Sequence, residues 1–155
     1  MPLRVTATPR KGWRVMLAIS DPLQRAVMTA LLRDAGCRVV AVKSGIHLLR
    51  RLSVAILEED PRRRPALIIA DLQLPGCSGL SILEGLRALS WETPFFLLVG
   101  DNSAAIARRA FAVGATRVFD QPASLAEVHA AALTYLLARS PHLAGAALRR
   151  ARPSC

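Results

Sequence analysis

The sequence predicts an α/β domain built on a doubly wound, five-stranded parallel sheet in the order 2-1-3-4-5. Three observations carry this expectation. The run Ala66-Leu67-Ile68-Ile69-Ala70 is apolar without alternation, as in a strand covered on both faces, and it stops on the carboxylate Asp71. Four other short apolar or β-branched runs alternate with segments of helical periodicity, the pattern of right-handed βαβ crossovers. Proline, glycine and capping residues punctuate the junctions. In this strand order the crevice lies between the first and third strands, beside Asp21 and Asp71.

In chain order, residues 1–13 carry Pro, Thr, Gly and bases without periodicity and read as a basic leader. The first strand is Arg14 to Ile19. Asp21 is placed to cap a helix whose first position is Pro22, where a missing N–H costs nothing. Leu23, Val27, Ala30 and Leu31 are spaced as one apolar stripe, and Gly36 closes the helix. Cys37 to Val42 is the second strand, and Leu48, Leu49, Leu52, Ala55 and Ile56 mark the second helix. That helix runs into Glu58-Glu59-Asp60, acids that oppose its dipole, with Arg62-Arg63-Arg64 following to offset them.

Ala66 to Asp71 is the third strand, and the Pro75-Gly76 and Ser78-Gly79 pairs turn the chain into a third helix marked by Leu80, Leu83 and Leu86. Pro94 to Val99 is a fourth buried strand, Ala104 to Val113 a fourth helix closed by Gly114, and Thr116 to Asp120 the fifth strand. Ser124-Leu125-Ala126-Glu127 is a capping box opening a last helix through Ala138. Residues 14–138 therefore form the domain and 139–155 a basic tail.

Composition bounds the function. With 155 residues, 52% of them hydrophobic, the chain suits a single domain with a full core. No apolar run approaches the roughly 20 residues of a membrane span, and the N-terminus lacks a signal peptide's apolar core, so a cytoplasmic location is expected. Most of the net charge of +10 sits in the ends: Arg4, Arg10, Lys11 and Arg14 at one, Arg139, Arg149, Arg150 and Arg152 at the other, neither with an acid. Contact with nucleic acid is expected only through the basic tail.

Three cysteines, Cys37, Cys77 and Cys155, fit neither a zinc site nor a disulfide framework, and Cys77 reads as a small filler in a turn. His47, His129 and His142 read as surface or boundary residues. Without a glycine-rich phosphate loop, a nucleophile elbow or a metal-ligand cluster, no enzyme is expected.

The segment from the apolar strand through Asp71-Leu72-Gln73-Leu74-Pro75-Gly76-Cys77-Ser78-Gly79 resembles the phosphoacceptor segment of bacterial response-regulator receiver domains, and the resemblance extends over roughly residues 14–138. It implies the flavodoxin-like receiver fold, with Asp71 as the phosphoacceptor. The family's acidic pair, counted back from Pro22, falls on Ile19 and Ser20, with Asp21 a nearby acid in the variable place. Its switch hydroxyl falls on Val99, its lysine on Gln121 before Pro122, and its switch aromatic on Val118. Only the phosphoacceptor carboxylate survives.

The resemblance implies Mg²⁺ only if phosphorylation occurs, with Asp71 and the backbone carbonyl of Gln73 as weak ligands in the absence of the other carboxylates. Gln121 carries no charge and Val99 cannot donate a hydrogen bond. These losses favour a stand-alone receiver-like module, a degenerate pseudo-receiver working in two-component signalling through a protein partner, either a histidine kinase or a downstream signalling protein. By resemblance the partner face is about residues 102–138, with Arg108, Arg109, Arg117 and an exposed Val118. A conventional response regulator phosphorylated on Asp71 is the second reading; anion or nucleic-acid binding through the basic termini is the third.

Overall fold

The computed structural model describes residues 12–58, 64–100, 104–120 and 125–139. The leader through residue 11, the Glu59 to Arg63 charge cluster, Gln121, Pro122, the Ser124 cap, His142, Cys155 and the basic tail beyond residue 139 lie outside them. Ten elements alternate: β1 (Arg14–Ala18), α1 (Pro22–Asp34), β2 (Arg38–Val42), α2 (Gly45–Leu57), β3 (Leu67–Asp71), α3 (Gly79–Ala88), β4 (Phe95–Val99), α4 (Ala104–Val113), β5 (Arg117–Asp120) and α5 (Leu125–Ala138). The strands pair in parallel in the order β2-β1-β3-β4-β5, as the sequence predicts.

Burial follows this topology. Every residue of β3 and β4 is buried, whereas the edge strands β2 and β5 alternate or expose their ends. Successive side chains of the central strands enter opposite cores. Met16, Ile68, Phe95 and Leu97 pack under α2, α3 and α4, while Val15, Leu17, Ile69 and Phe96 pack under α1 and α5.

One amphipathic assignment needs correction. The Leu23, Val27, Ala30, Leu31 stripe is not the buried face of α1: Leu23 is 73% exposed, Val27 and Ala30 are exposed, and Leu31 is half-buried. The face against the sheet carries Met28 and Leu32. That inner row continues at helical spacing to Arg25 and Asp21, which have local polar duties, so counting apolar residues selects the neighbouring row. Leu49 of α2 is likewise exposed, the inner face being Leu48, Leu52 and Ala55.

A half-buried arginine ties three segments together. Arg87, in the last turn of α3, donates through Nε and Nη2 to Gly114 O (3.2 and 2.9 Å), through Nη2 to Thr93 O (2.9 Å) and through Nη1 to Trp91 O. Gly114 sits at φ +118°, and a Cβ there would lie 2.9 Å from Arg87 Nε, so glycine is required on both counts. Desolvation lowers the pKa of Arg87 from its ordinary value, an effect the neighbouring Glu92 opposes.

Candidate functional site

The carboxyl ends of β1, β3 and β4 open into a cleft of about 330 Å³ whose polar lining is Ser20, Asp21, Gln24, Asp71 and Gln73. This is where the strand order places a crevice. Asp71 ends β3 and is buried. Its Oδ2 accepts from the backbone N–H of Ser20 (2.9 Å) and from the Ser20 hydroxyl (3.1 Å). Its Oδ1 is buried and has no partner among the described residues. Burial raises the Asp71 pKa above the ordinary carboxylate value; the two bonds from Ser20 oppose the shift and the charge of Asp21 adds to it.

The other residues singled out by the resemblance divide between core and cleft. Ile19 is fully buried in the core under α1 and α5, so no acid faces the cleft from that position. Ser20 does face it. Asp21 is the N-cap of α1, its Oδ1 accepting from Gln24 N at 2.9 Å. No register shift therefore moves Asp21 into the place of the pair. Arg25 reaches back from α1 to donate through Nη1 to Ile19 O (2.8 Å) and Ser20 O (3.3 Å), which fixes the strand end carrying Ser20.

Val99 is fully buried and packs in the core under α2, α3 and α4. Gln121 lies outside the described residues. Val118 corrects the expectation of exposure: it is half-buried and packs against the same core as Val99. Arg108, Arg109 and Arg117 are exposed as expected. Arg109 is not free, however, since its Nη2 bonds Glu84 Oε1 of α3 at 2.8 Å, and Arg117 lies over the Phe119 ring at 5.0 Å. The exposed Arg109–Glu84 pair contributes at most about 1 kcal/mol.

Of the cysteines, Cys37 is buried and burial pushes its thiol up to about 11, which leaves it inert. Cys77 is half-buried in the loop after Asp71, with Sγ 3.9 Å from Ser78 O. His47 is exposed and His129 half-buried, the latter with a buried Nε2 lacking a partner among the described residues.

The donors available to a divalent cation are few. Asp71 offers one unpartnered oxygen and Ser20 a neutral hydroxyl, Asp21 commits Oδ1 to its cap, and Gln73 also lines the cleft. No group of three or more potential metal-ligating side chains occurs among the described residues. Hard cations that give up water reluctantly prefer carboxylates, and the acidic side chains lining this cleft are Asp21 and Asp71, with the neutral Ser20 between them and β1. Chemically the cleft offers one partly desolvated carboxylate held by a serine. Sequence reasoning singled out Asp71 and Ser20, which both line the cleft; it missed that Ser20 bonds Asp71 and that Arg25 holds Ser20. The only signal was the spacing of Ser20, Asp21 and Arg25 around Pro22.

Among known proteins, the response regulator receiver domain profile matches residues 15–133. The two-component response regulator ARR3 of Arabidopsis thaliana is 32% identical over 120 residues, which cover 73% of this chain and 52% of that protein. The transcriptional activator protein PfeR of Pseudomonas aeruginosa is 32% identical over 117 residues, covering 76% and 35%. This chain thus spans about half or less of these relatives' lengths. The solved receiver domain of Francisella response regulator 1452 superposes with a TM-score of 0.69 at 18% identity, covering 81% of this chain and 97% of that one. The receiver domain of sensor histidine kinase PA1611 from Pseudomonas aeruginosa, solved with magnesium in its active-site cleft, gives 0.63 at 24% identity, covering 81% and 98%. No described helix is long and apolar enough to cross a membrane. With the sheet order, the Asp71 cleft and a profile match over most of its length, the chain belongs to the response regulator receiver domain family.

Proposed function

We propose that this receiver domain is a degenerate one, a cytoplasmic module of two-component signalling that acts by binding a histidine kinase or a downstream signalling protein, with weak or no phosphorylation of Asp71. One observation carries the reading: Ser20, at the position of a family carboxylate, spends its N–H and hydroxyl on Asp71 Oδ2. A phosphoryl group arriving at a carboxylate brings negative charge that must be neutralised. Here Ile19 is sealed in the core, Ser20 is neutral, and Gln121 carries no charge.

A switch also needs contacts that differ between its two states. Val99, buried and without a donor, supplies none for a phosphate. The binding surface therefore has no means to read modification through that position, and the proposed face around Arg108, Arg109 and Arg117 works constitutively.

The deciding experiment is incubation with acetyl phosphate and Mg²⁺, read by intact mass and a phosphate-retarding gel. The parent is expected to stay unlabelled, and Asp71→Asn to leave partner binding nearly unchanged. Ser20→Asp, Val99→Thr and Gln121→Lys together are expected to raise labelling of Asp71 well above the parent's. Ile19→Asp would bury an unpaired carboxylate in the apolar core under α1 and α5, whereas Val99→Thr keeps the side chain's shape. Stoichiometric labelling of the parent, abolished by Asp71→Asn, would instead establish a conventional response regulator.

A further inference from the structure

A shallow, open cleft lies at the carboxyl end of the edge strand β2. It has a volume of about 280 Å³ and is lined by Arg25, Ala41, Val42, Lys43 and His47. Three of these five side chains are basic and none is acidic. We propose that this cleft binds a small phosphate-type oxyanion, either free phosphate or a phosphomonoester, and that the protein takes a chemical input there.

Three basic residues line it. Arg25 is held from behind by the Ile19 and Ser20 carbonyls through Nη1, and its Nε and Nη2 donate to no acceptor among the described residues. An anchored guanidinium loses little freedom when it grips an oxyanion. Lys43 is exposed and has no acidic partner among the described residues. His47 Nδ1 lies 2.6 Å from Ser44 Oγ, whose oxygen also accepts from His47 N at 3.2 Å. In the tautomer in which the Ser44 hydroxyl donates to Nδ1, Nε2 carries the ring proton and is a third donor. The cleft also lies at the N-terminal turn of α2, where the helix dipole favours negative charge.

The cleft is mechanically continuous with the Asp71 loop. Gly45, the first residue of α2, donates its N–H to Pro75 O at 3.0 Å, and a Cβ on Gly45 would lie 1.9 Å from Cys77 O. The start of α2 and the β3–α3 loop are thus in direct backbone contact, and an anion drawn against α2 bears on the segment that follows Asp71. This input does not require Asp71 to be phosphorylated, so it stands or falls separately from the degenerate reading.

The test is a ¹H–¹⁵N NMR titration of the full chain with inorganic phosphate and, separately, with glycerol 3-phosphate, at constant ionic strength. Saturable shifts are expected for the amides of residues 41–47 and, on the same isotherm, for Gly76. Tighter binding of the ester would identify a phosphomonoester as the ligand; equal or weaker binding would identify the free ion. Lys43→Ala and His47→Ala, both at exposed positions, should each weaken binding roughly tenfold, the equivalent of one charge-assisted hydrogen bond. Arg38→Ala, an exposed cation at the opposite end of β2, should leave it unchanged. The proposal is overturned if neither probe saturates these amides, or if Arg38→Ala weakens binding as much as Lys43→Ala does.

Discussion

Replacing Ser20 by Asp probes the cleft most directly, because it turns the donor that holds Asp71 into a second carboxylate. The Ser20 hydroxyl lies 3.1 Å from Asp71 Oδ2. Its loss removes a hydrogen bond worth about 1 kcal/mol. Two full charges about 4 Å apart repel by roughly 4 kcal/mol at an effective dielectric constant near 20. The open cleft and the readiness of Asp71 to take up a proton reduce this, and a net loss of about 2–3 kcal/mol is expected. For a domain of this size that corresponds to a fall of roughly 10 °C in Tm.

Magnesium should reverse the loss in the variant alone. Ser20→Asp adds, directly beside Asp71, a carboxylate that the parent lacks, and a metal at about 100 times its Kd stabilises by roughly 2.7 kcal/mol. The assay is thermal unfolding by circular dichroism at pH 7, with MgCl₂ or with chelator. A parent Tm that rises saturably with magnesium, as far as the variant's does, would refute the reasoning, since it would mean that the parent's donors already suffice.

Ile68→Ala and Ile69→Ala should each cost about 2–5 kcal/mol in denaturant unfolding, since both side chains are fully buried, on opposite faces of the central strand. Arg87→Ala should cost about 2–4 kcal/mol by stranding the Trp91, Thr93 and Gly114 carbonyls. Arg87→Lys should recover only part of that, because one ammonium cannot span the three acceptors. Asp71→Asn should raise Tm at neutral pH. The Asp71 pKa is raised in the folded protein, so its stabilisation is complete below the unfolded value of 3.8 and is lost as pH rises through the folded value. Melts at pH 7 and pH 3.5 should show the gain at the first and its disappearance at the second.

How far the fold is legible in the sequence depends on how far burial decides each position. The β3 run shows no alternation because both of its faces are covered, and that alone locates the sheet's centre. Asp21 before Pro22 marks the start of α1 because a cap and a missing N–H are local chemistry. The buried face of α1 is illegible for the complementary reason. Its inner row at Asp21 and Arg25 serves the cap and the strand-end carbonyls, so apolarity is displaced onto a row that faces solvent. The Arg87 clamp is equally hidden, because its acceptors are backbone carbonyls up to 27 residues away that no side-chain pattern records.

The site divides in the same way. A carboxylate at the end of a central strand is visible as soon as the strand is, and so is the absence of acids at Ile19 and Ser20. What the absence leaves behind is not visible. Ile19 gives its side chain to the core under α1 and α5, while Ser20 turns to Asp71, so adjacent losses from one motif have opposite structural consequences. The Ile19 position now contributes to stability, since an acid there would have to enter an apolar core without a partner. The Ser20 position remains at the cleft, open to a single substitution. An acid is therefore excluded at one residue and admissible at its neighbour, and on the proposed degenerate reading Ser20→Asp, not the full pair, is the substitution that tests for a metal site.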